Sequence, residues 1–149
     1  TWLLRSSRID SRPVFGEIDH IGIAVEDIDG ALGLYRDKLG MREEHRETLE
    51  DQGVDAVLLE VGDAHVELIA PIDPDGGVAR FIAKRGPGIH HVAYRTQDIE
   101  GDIKKLVAAG MRMIGDEAHP GIRDSLAIFV HPKSTGGVLT ELVQPAEDH

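Results

Sequence analysis

The chain contains no cysteine, and this absence removes several kinds of site from consideration. Structural disulfides, thiolate metal ligands and cysteine nucleophiles all depend on that residue. No apolar run approaches the roughly 20 residues of a membrane span, and no segment has the pattern of a secretory signal. We therefore expect a cytoplasmic protein without a membrane partner.

Basic residues are few as well. The 149 residues include 16 lysines and arginines against 27 aspartates and glutamates, a formal net charge of −11. Binding to phosphate backbones needs a basic surface, so we expect no nucleic-acid partner. An anionic substrate would need local positive charge or a metal ion. Hydrophobic residues make up 41% of the chain, which is enough for one domain or for two small fused modules.

The main positive feature is an internal repeat. The stretch Ile-Asp-His-Ile-Gly-Ile-Ala-Val at 18–25 is matched by Ile-His-His-Val-Ala-Tyr-Arg at 89–95. Each copy continues with an Asp-Ile-acid-Gly turn, a Gly-Met-Arg segment and an acid-bearing strand that ends at proline. Alternating apolar positions predict strands, and the spacing after each turn predicts a helix. Each copy is therefore predicted to be a βαβββ unit.

Two such units are expected to pack together, because neither buries its sheet face well alone. We predict an α+β fold in which two tandem βαβββ modules form one curved, cup-shaped mixed sheet around a metal site. Module one spans residues 17–70, a linker spans 71–88, and module two spans 89–146. Together they make a single domain, residues 17–146. Residues 1–16 match neither module, and we expect them to form a flexible N-terminal extension.

Local signals predict the helices and one hairpin. Asp27 is a plausible N-cap for a helix from about 28 to 39, and Asp98 for a helix that runs to about 109. A third, short helix is predicted in the linker, over 78–85. The strands on either side of Gly62-Asp63 are expected to form a hairpin.

Superposition of the two copies places two pairs of metal-binding residue types in register. His20 falls on His91, and Glu67 falls on Glu141. A duplicated unit that supplies one histidine and one glutamate per copy can surround a divalent metal. Small residues share the histidine face and leave room for a ligand: Gly22, Ala24 and Ala93. We predict a site for Co²⁺, Mn²⁺, Ni²⁺, Zn²⁺ or Fe²⁺, since ligand type alone does not choose among these ions.

The remaining histidines lack this pairing. His90 is predicted to point away from His91, because successive side chains alternate on a regular strand. The counterpart of His65 in the other copy is a glycine. Three more histidines have no histidine partner, and a fourth is terminal: His45, His119, His131 and His149.

The repeat resembles the vicinal oxygen chelate superfamily (glyoxalase, bleomycin-resistance and dioxygenase-like proteins) over about residues 17–146. Three segments further resemble the methylmalonyl-CoA epimerase family within it. They are the first-strand motif at 18–25, Phe-Ile-Ala-Lys-Arg-Gly-Pro-Gly-Ile-His-His at 81–91, and His-Pro-Lys-Ser at 131–134 with Gly-Val-Leu-Thr-Glu-Leu at 137–142. The last of these is the most specific, since the first-strand motif alone would fit many relatives.

The resemblance implies an isomerase of propionyl-CoA metabolism. It would interconvert (2R)- and (2S)-methylmalonyl-CoA by removing the α-proton through a metal-stabilised enolate. It implies a CoA thioester as substrate, with ethylmalonyl-CoA as an additional candidate, and we expect a homodimer. Glu141 is the implied catalytic base as well as a ligand, and Glu67 is its symmetry mate and the second candidate.

The sequence departs from part of that family at one position. Some members carry a glutamate, proposed as a base, where this chain has Ala56. The second acid/base group is therefore unassigned, and Glu47 and Asp51 are weaker alternatives. Four basic residues are candidates for contacting the CoA phosphates or the thioester: Lys84, Arg85, Arg123 and Lys133.

Three other functions fit parts of the pattern. A glyoxalase-like lyase or isomerase would act on thiol adducts of ketoaldehydes, and it is the main alternative. A dioxygenase would use Fe²⁺ with two histidines and one carboxylate, so Glu67 as a fourth ligand argues against it. A ligand-sequestering protein would have no need for the four metal-binding residues.

Overall fold

Eight strands form one mixed sheet in the computed structural model, which describes residues 13–146. The order across the sheet is β2-β3-β4-β1-β5-β8-β7-β6, so each module contributes four neighbouring strands. The modules meet where β1 and β5 pair antiparallel. In chain order the strands are β1 Ile18–Ala24, β2 Arg42–Leu49, β3 Val54–Val61, β4 Ala64–Pro71, β5 Gly88–Arg95, β6 Met113–Pro120, β7 Leu126–Val130 and β8 Thr140–Gln144. The predicted α+β fold of tandem βαβββ modules is confirmed.

Three helices accompany the sheet within the described residues. They are α1 Ile28–Leu32, which continues as a π-helical segment Gly33–Lys38, α2 Gly77–Arg85 in the linker, and α3 Ile99–Ala108. The predicted caps are present, because the Asp27 side chain accepts from Gly30 N and the Asp98 side chain accepts from Gly101 N. No helix in this part of the chain is long and apolar enough to cross a membrane.

The prediction of one regular helix over 28–39 is wrong for its second half. Leu39 N donates to Leu34 O, five residues back, at 2.9 Å, which is the π-helical pattern. No residue of Gly33–Lys38 is fully buried, although Tyr35 packs against the outer cluster of module one. Gly33, a weak helix former, lies at the junction.

The two faces of the sheet bury different clusters. The outer face packs on α1 and α3, through residues such as Val57 and Leu59 in module one and Ile128 and Leu142 in module two. The inner face packs on α2 through residues that alternate with these along each strand: Val54, Ala56 and Leu58 of β3, with Val78 of α2. Alternate residues of β3 therefore belong to different faces: the outer face packs on α1, and the inner face packs on α2 and lines the cup.

The sheet curls until its two ends approach each other. Ile122, in a 3₁₀ turn that precedes β7, packs into the inner cluster of module one. The Arg123 guanidinium lies 3.4 Å from Glu44, and Arg123 N donates to Glu47 Oε1 at 3.0 Å. Arg123 and Asp124 have φ of 55° and 60°, a region that costs free energy for residues with a Cβ. These contacts with β2 hold the turn in place and close the predicted cup.

The predicted extension, residues 1–16, falls mostly outside the described part of the chain, which begins at Pro13. Val14 and Phe15 pack against the outer cluster of module two. The Phe15 ring meets the Tyr94 ring edge-on, with centroids 5.1 Å apart. For residues 1–12 the extension stays a prediction.

Candidate metal centre

The four central strands of the sheet each direct one predicted ligand into the cup. His20 on β1 and His91 on β5 approach at their Nε2 atoms, 3.0 Å apart. Glu141 Oε1 on β8 lies 3.2 Å from His20 Nε2 and 3.4 Å from His91 Nε2. Glu67 Oε1 on β4 lies 3.5 Å and 3.6 Å from the same two atoms. The structure thus brings together all four residues that the repeat identified.

Strand register explains why the four side chains converge. Gly22 is paired with Glu67 on one side and with His91 on the other. Ala93 is paired in the same way with His20 and Glu141. Each row across the sheet therefore has a small residue between two ligands. A Cβ at Gly22 would lie 2.1 Å from His91 Cε1, so the His91 ring occupies the space that glycine leaves.

Gly22→Ala is expected to displace the His91 ring and weaken metal binding by at least about tenfold, as loss of an outer-shell support does. Competition with a chromogenic chelator measures the affinity. The matched control is Gly33→Ala, because a Cβ there meets nothing within 4 Å. Equal affinity in the two variants, with both folded by circular dichroism, would contradict the proposed crowding at His91.

The cluster is buried and carries opposing charges. The exposed fractions of His20, Glu67, His91 and Glu141 are 2%, 6%, 4% and 6%. Burial would lower the pKa of His20, but Glu67, Asp19 and Glu141 outweigh it and raise the pKa well above its ordinary value. Burial would raise the pKa of Glu141, yet hydrogen bonds from His20 and His91 hold it below its usual range.

Glu67 differs from its symmetry mate. Burial raises the pKa of Glu67 and prevails over the opposing charges of His20 and His91. Two buried carboxylates need compensating positive charge, because an unpaired charge is costly away from water. The negative charge of the surrounding carboxylates, which favours a proton on His20, would also favour a cation bound between the four side chains.

The donor types, and their spacing around the two histidines, fit a divalent metal ion. Ligand bonds of about 2.1 Å place neighbouring donors roughly 3.0 Å apart in octahedral and 3.4 Å apart in tetrahedral coordination. The separations between the histidine nitrogens and the other donors run from 3.0 to 3.6 Å. His20, Glu67 and His91 form a group that could hold a metal ion. Imidazole nitrogen and carboxylate oxygen suit Zn²⁺ and the other first-row ions predicted above.

Asp19 supports His20 from the outer side. Its Oδ2 lies 2.7 Å from His20 Nδ1, and its Oδ1 accepts from Arg95 Nε at 3.1 Å. Burial would raise the pKa of Asp19, but His20 and Arg95 lower it. A carboxylate on Nδ1 fixes the ring tautomer and leaves Nε2 free to bind a metal.

The prediction that His90 points away from His91 is wrong. His90 lines the same cavity, and its Nδ1 lies 2.9 Å from His91 Nδ1. The cause is a β-bulge, because Gly22 pairs with His91 while the next residue, Ile23, pairs with Ile89. The extra residue breaks the alternation of side chains. Burial and the neighbouring His91 lower the pKa of His90 to about 4.

Asp19 and His90 occupy the same place in the repeat. Each precedes a predicted ligand, each lies where the pairing of β1 and β5 shifts register, and each contacts Nδ1 of the histidine that follows. Sequence reasoning missed both, although their alignment under the repeat was a signal that could have found them.

The cluster forms the floor of a cavity of about 220 Å³. Its apolar wall comes from both modules, with Leu49, Val54 and Ile69 facing Ile122, Phe129 and Val143. The Phe129 ring meets the His91 ring edge-on at 5.4 Å. Three polar residues without a predicted role also line the cavity: Gln52, His119 and Ser125.

The weaker candidates lie farther out. Glu47 is paired in register with Ala56 on β3, but its carboxylate is held by Arg123 N and His45 Nε2. Asp51 is exposed. Neither carboxylate lines the cavity, and Ala56 is fully buried in the inner cluster.

The four basic candidates for CoA contacts also lie outside the cavity wall. Lys84 and Arg85 end helix α2, where the Arg85 guanidinium lies 5.8 Å from the centre of the Phe81 ring. Lys133 is exposed, and Arg123 pairs with Glu44. Their role in CoA binding stays a prediction.

Comparisons with known proteins agree with this geometry. Residues 19–129 match the family described as the glyoxalase/bleomycin resistance protein/dioxygenase superfamily. Mitochondrial methylmalonyl-CoA epimerase of Mus musculus is 35% identical over 91% of this chain and 78% of its own. The chain belongs to the methylmalonyl-CoA epimerase family of that superfamily.

Solved structures of the family share the fold. The crystal structure of methylmalonyl-CoA epimerase from Mycobacterium tuberculosis matches with a TM-score of 0.86 and 42% identity, covering 89% of this chain and 90% of the other. A methylmalonyl-CoA epimerase in complex with methylmalonyl-CoA and NH₄⁺ matches with a TM-score of 0.84 and 38% identity, covering 88% and 95%. At these identities the likeness extends beyond the fold to the family.

Proposed function

We propose that the protein is a methylmalonyl-CoA epimerase that interconverts the (2R) and (2S) epimers by removing and returning the α-proton. The observation that carries this is the buried cluster of two histidines and two glutamates at the floor of a cavity, in a chain of the epimerase family. A related epimerase binds methylmalonyl-CoA, and we infer the same CoA thioester substrate here.

The four ligands are proposed to be His20, Glu67, His91 and Glu141. When bound, a divalent ion would supply Lewis-acid polarisation of substrate oxygens, which would make the α-proton more acidic. The two histidines lie in the middle strands, β1 and β5, and the two glutamates lie on the strands outside them, β4 and β8. The carboxylates therefore flank the centre of the cup from two sides.

This arrangement suits epimerisation, which needs a proton removed from one face of a carbon and returned to the other. Glu141 is proposed as the base on its side. Its pKa is held low by His20 and His91, so its carboxylate carries no proton before the substrate binds. Glu67, on the opposite side, is the second candidate. Ala56 offers no acid/base group, and Glu47 is engaged by Arg123 N and His45.

The decisive experiment incubates one pure epimer of methylmalonyl-CoA with the protein in D₂O. We expect deuterium at the α-carbon, measured by mass spectrometry, together with loss of optical purity. A chelator should stop both, and an added divalent ion should restore both. Absence of exchange with metal in excess would overturn the proposed function.

The same preparation tests the main alternative. A hemithioacetal of methylglyoxal and glutathione serves as the control substrate for a glyoxalase-like lyase or isomerase. Turnover of this adduct without exchange on methylmalonyl-CoA would favour that activity. Family membership favours the epimerase. The homodimer and the cytoplasmic location stay predictions from the sequence.

A further inference from the structure

The rings of His90 and His91 are joined by a hydrogen bond at the edge of the candidate metal centre, and the direction of that bond can be assigned. Their Nδ1 atoms lie 2.9 Å apart, so one nitrogen must donate and the other must accept. His91 Nε2 is the atom that faces the other proposed ligands, between 3.0 and 3.6 Å away. Coordination through Nε2 leaves the proton of the neutral His91 ring on Nδ1. His91 Nδ1 must then donate to His90 Nδ1.

The same hydrogen bond fixes the tautomer of His90. Because its Nδ1 accepts, the proton of the neutral His90 ring lies on Nε2. Within residues 13–146, no hydrogen-bond partner is found for that nitrogen. The ring lines the cavity with Glu67 and Glu141, and the Phe81 ring holds it edge-on at 5.0 Å.

We propose that His90 has two roles: it orients His91 for the metal through Nδ1, and it donates its Nε2 hydrogen to an oxygen of the acyl substrate in the cavity. The second role rests on the proposed function, and the first does not. The oxygen that gains negative charge as the α-proton leaves is the chemical target, because a donor placed where charge develops stabilises the transition state.

In the other copy of the repeat, the position that corresponds to His90 is occupied by Asp19, which can orient a ligand but cannot donate a hydrogen to the substrate. Asp19 orients His20 in the same manner, but its carboxylate has no hydrogen to donate, and its second oxygen is occupied by Arg95. The duplicated position therefore supports a ligand in both modules and can supply a donor to the cavity only in module two.

Two substitutions separate the roles. In His90→Asn, the amide oxygen lies near the place of Nδ1 and can still accept from His91, while the distal Nε2 hydrogen is lost. In His90→Phe, the ring still packs on Phe81, but both polar atoms are lost. Co²⁺ affinity by chelator competition and the Co²⁺ absorption spectrum report on the ligand shell, and kcat with each epimer reports on the donor.

For His90→Asn we expect Co²⁺ affinity within about threefold of the wild type, an unchanged spectrum, and kcat lower by roughly 10²- to 10³-fold, as for loss of one oxyanion donor. For His90→Phe we expect Co²⁺ affinity to fall about 10- to 100-fold, as for loss of an outer-shell partner of a metal ligand. Long-range ¹H–¹⁵N spectra of the Zn²⁺-loaded wild type should show protons on His90 Nε2 and His91 Nδ1.

Four outcomes would overturn one or both roles. Wild-type Co²⁺ affinity in His90→Phe, or a proton on His90 Nδ1 in the spectra, would remove the orienting role. Wild-type kcat in His90→Asn would remove the donor role. A wild-type protein inactive on methylmalonyl-CoA would refute the proposed function and the donor role with it, whereas the Co²⁺ measurements would still decide the orienting role.

Discussion

Replacing His91 with alanine is expected to abolish metal binding and epimerisation together. The imidazole is 4% exposed, and its Nε2 lies within 3.0 to 3.6 Å of the other three proposed donors. Its loss removes a direct ligand, so metal affinity should fall by more than the about 10- to 100-fold that an outer-shell partner contributes. Elemental analysis after dialysis and chelator competition measure the metal, and turnover of one pure epimer measures the activity.

The control for this variant is His131→Ala. His131 lies outside the cavity wall and accepts from Lys133 N in a local turn, so its replacement should leave metal content unchanged. Circular dichroism and thermal unfolding must show that both variants fold. If folded His91→Ala binds metal with wild-type affinity, His91 is not a ligand. The proposal that each module contributes one histidine to the site would then be wrong.

Much of the fold could be predicted because each local sequence signal occurs twice, once in each copy of the repeat. The Asp27 and Asp98 caps follow from one turn motif present in both copies, and both are observed. The predicted hairpin over Gly62-Asp63 is observed between β3 and β4, which pair antiparallel. Matching positions in the two copies also selected His20 and His91 from eight histidines, a choice that no single strand pattern would allow.

The errors arose where regular geometry was assumed. A bulge in β5 turns His90 toward the cavity, although strand alternation predicted the opposite face. Bulges depend on the pairing of distant strands, so one strand's sequence does not reveal them. The π-helical segment Gly33–Lys38 was missed in the same way, because the apolar spacing over 28–39 was read as one regular helix. Contacts between residues far apart in the sequence, such as that between Arg123 and Glu44, could not be predicted from local sequence patterns either.

Glu141→Gln is expected to separate the two roles proposed for this residue. The amide keeps the size of the side chain and one oxygen ligand, but it cannot accept the α-proton. Metal should bind more weakly and still be measurable in excess metal. Epimerisation should fall by a factor of about 10² to 10⁴, as expected for loss of general acid–base catalysis.

The matched control is Glu67→Gln, which makes the same chemical change in the symmetry mate on the other side of the histidines. Each base serves one face of the α-carbon, so α-deuteration in D₂O should fall more for one epimer in Glu141→Gln and more for the opposite epimer in Glu67→Gln. Both variants are assayed at metal saturation, confirmed by elemental analysis, because each change also weakens a ligand. Near wild-type rates for both epimers in Glu141→Gln would leave Glu141 as a ligand only. A matching loss for the same epimer in both variants would mean that the carboxylates act on one face, and the second base would then have to come from elsewhere in the cavity.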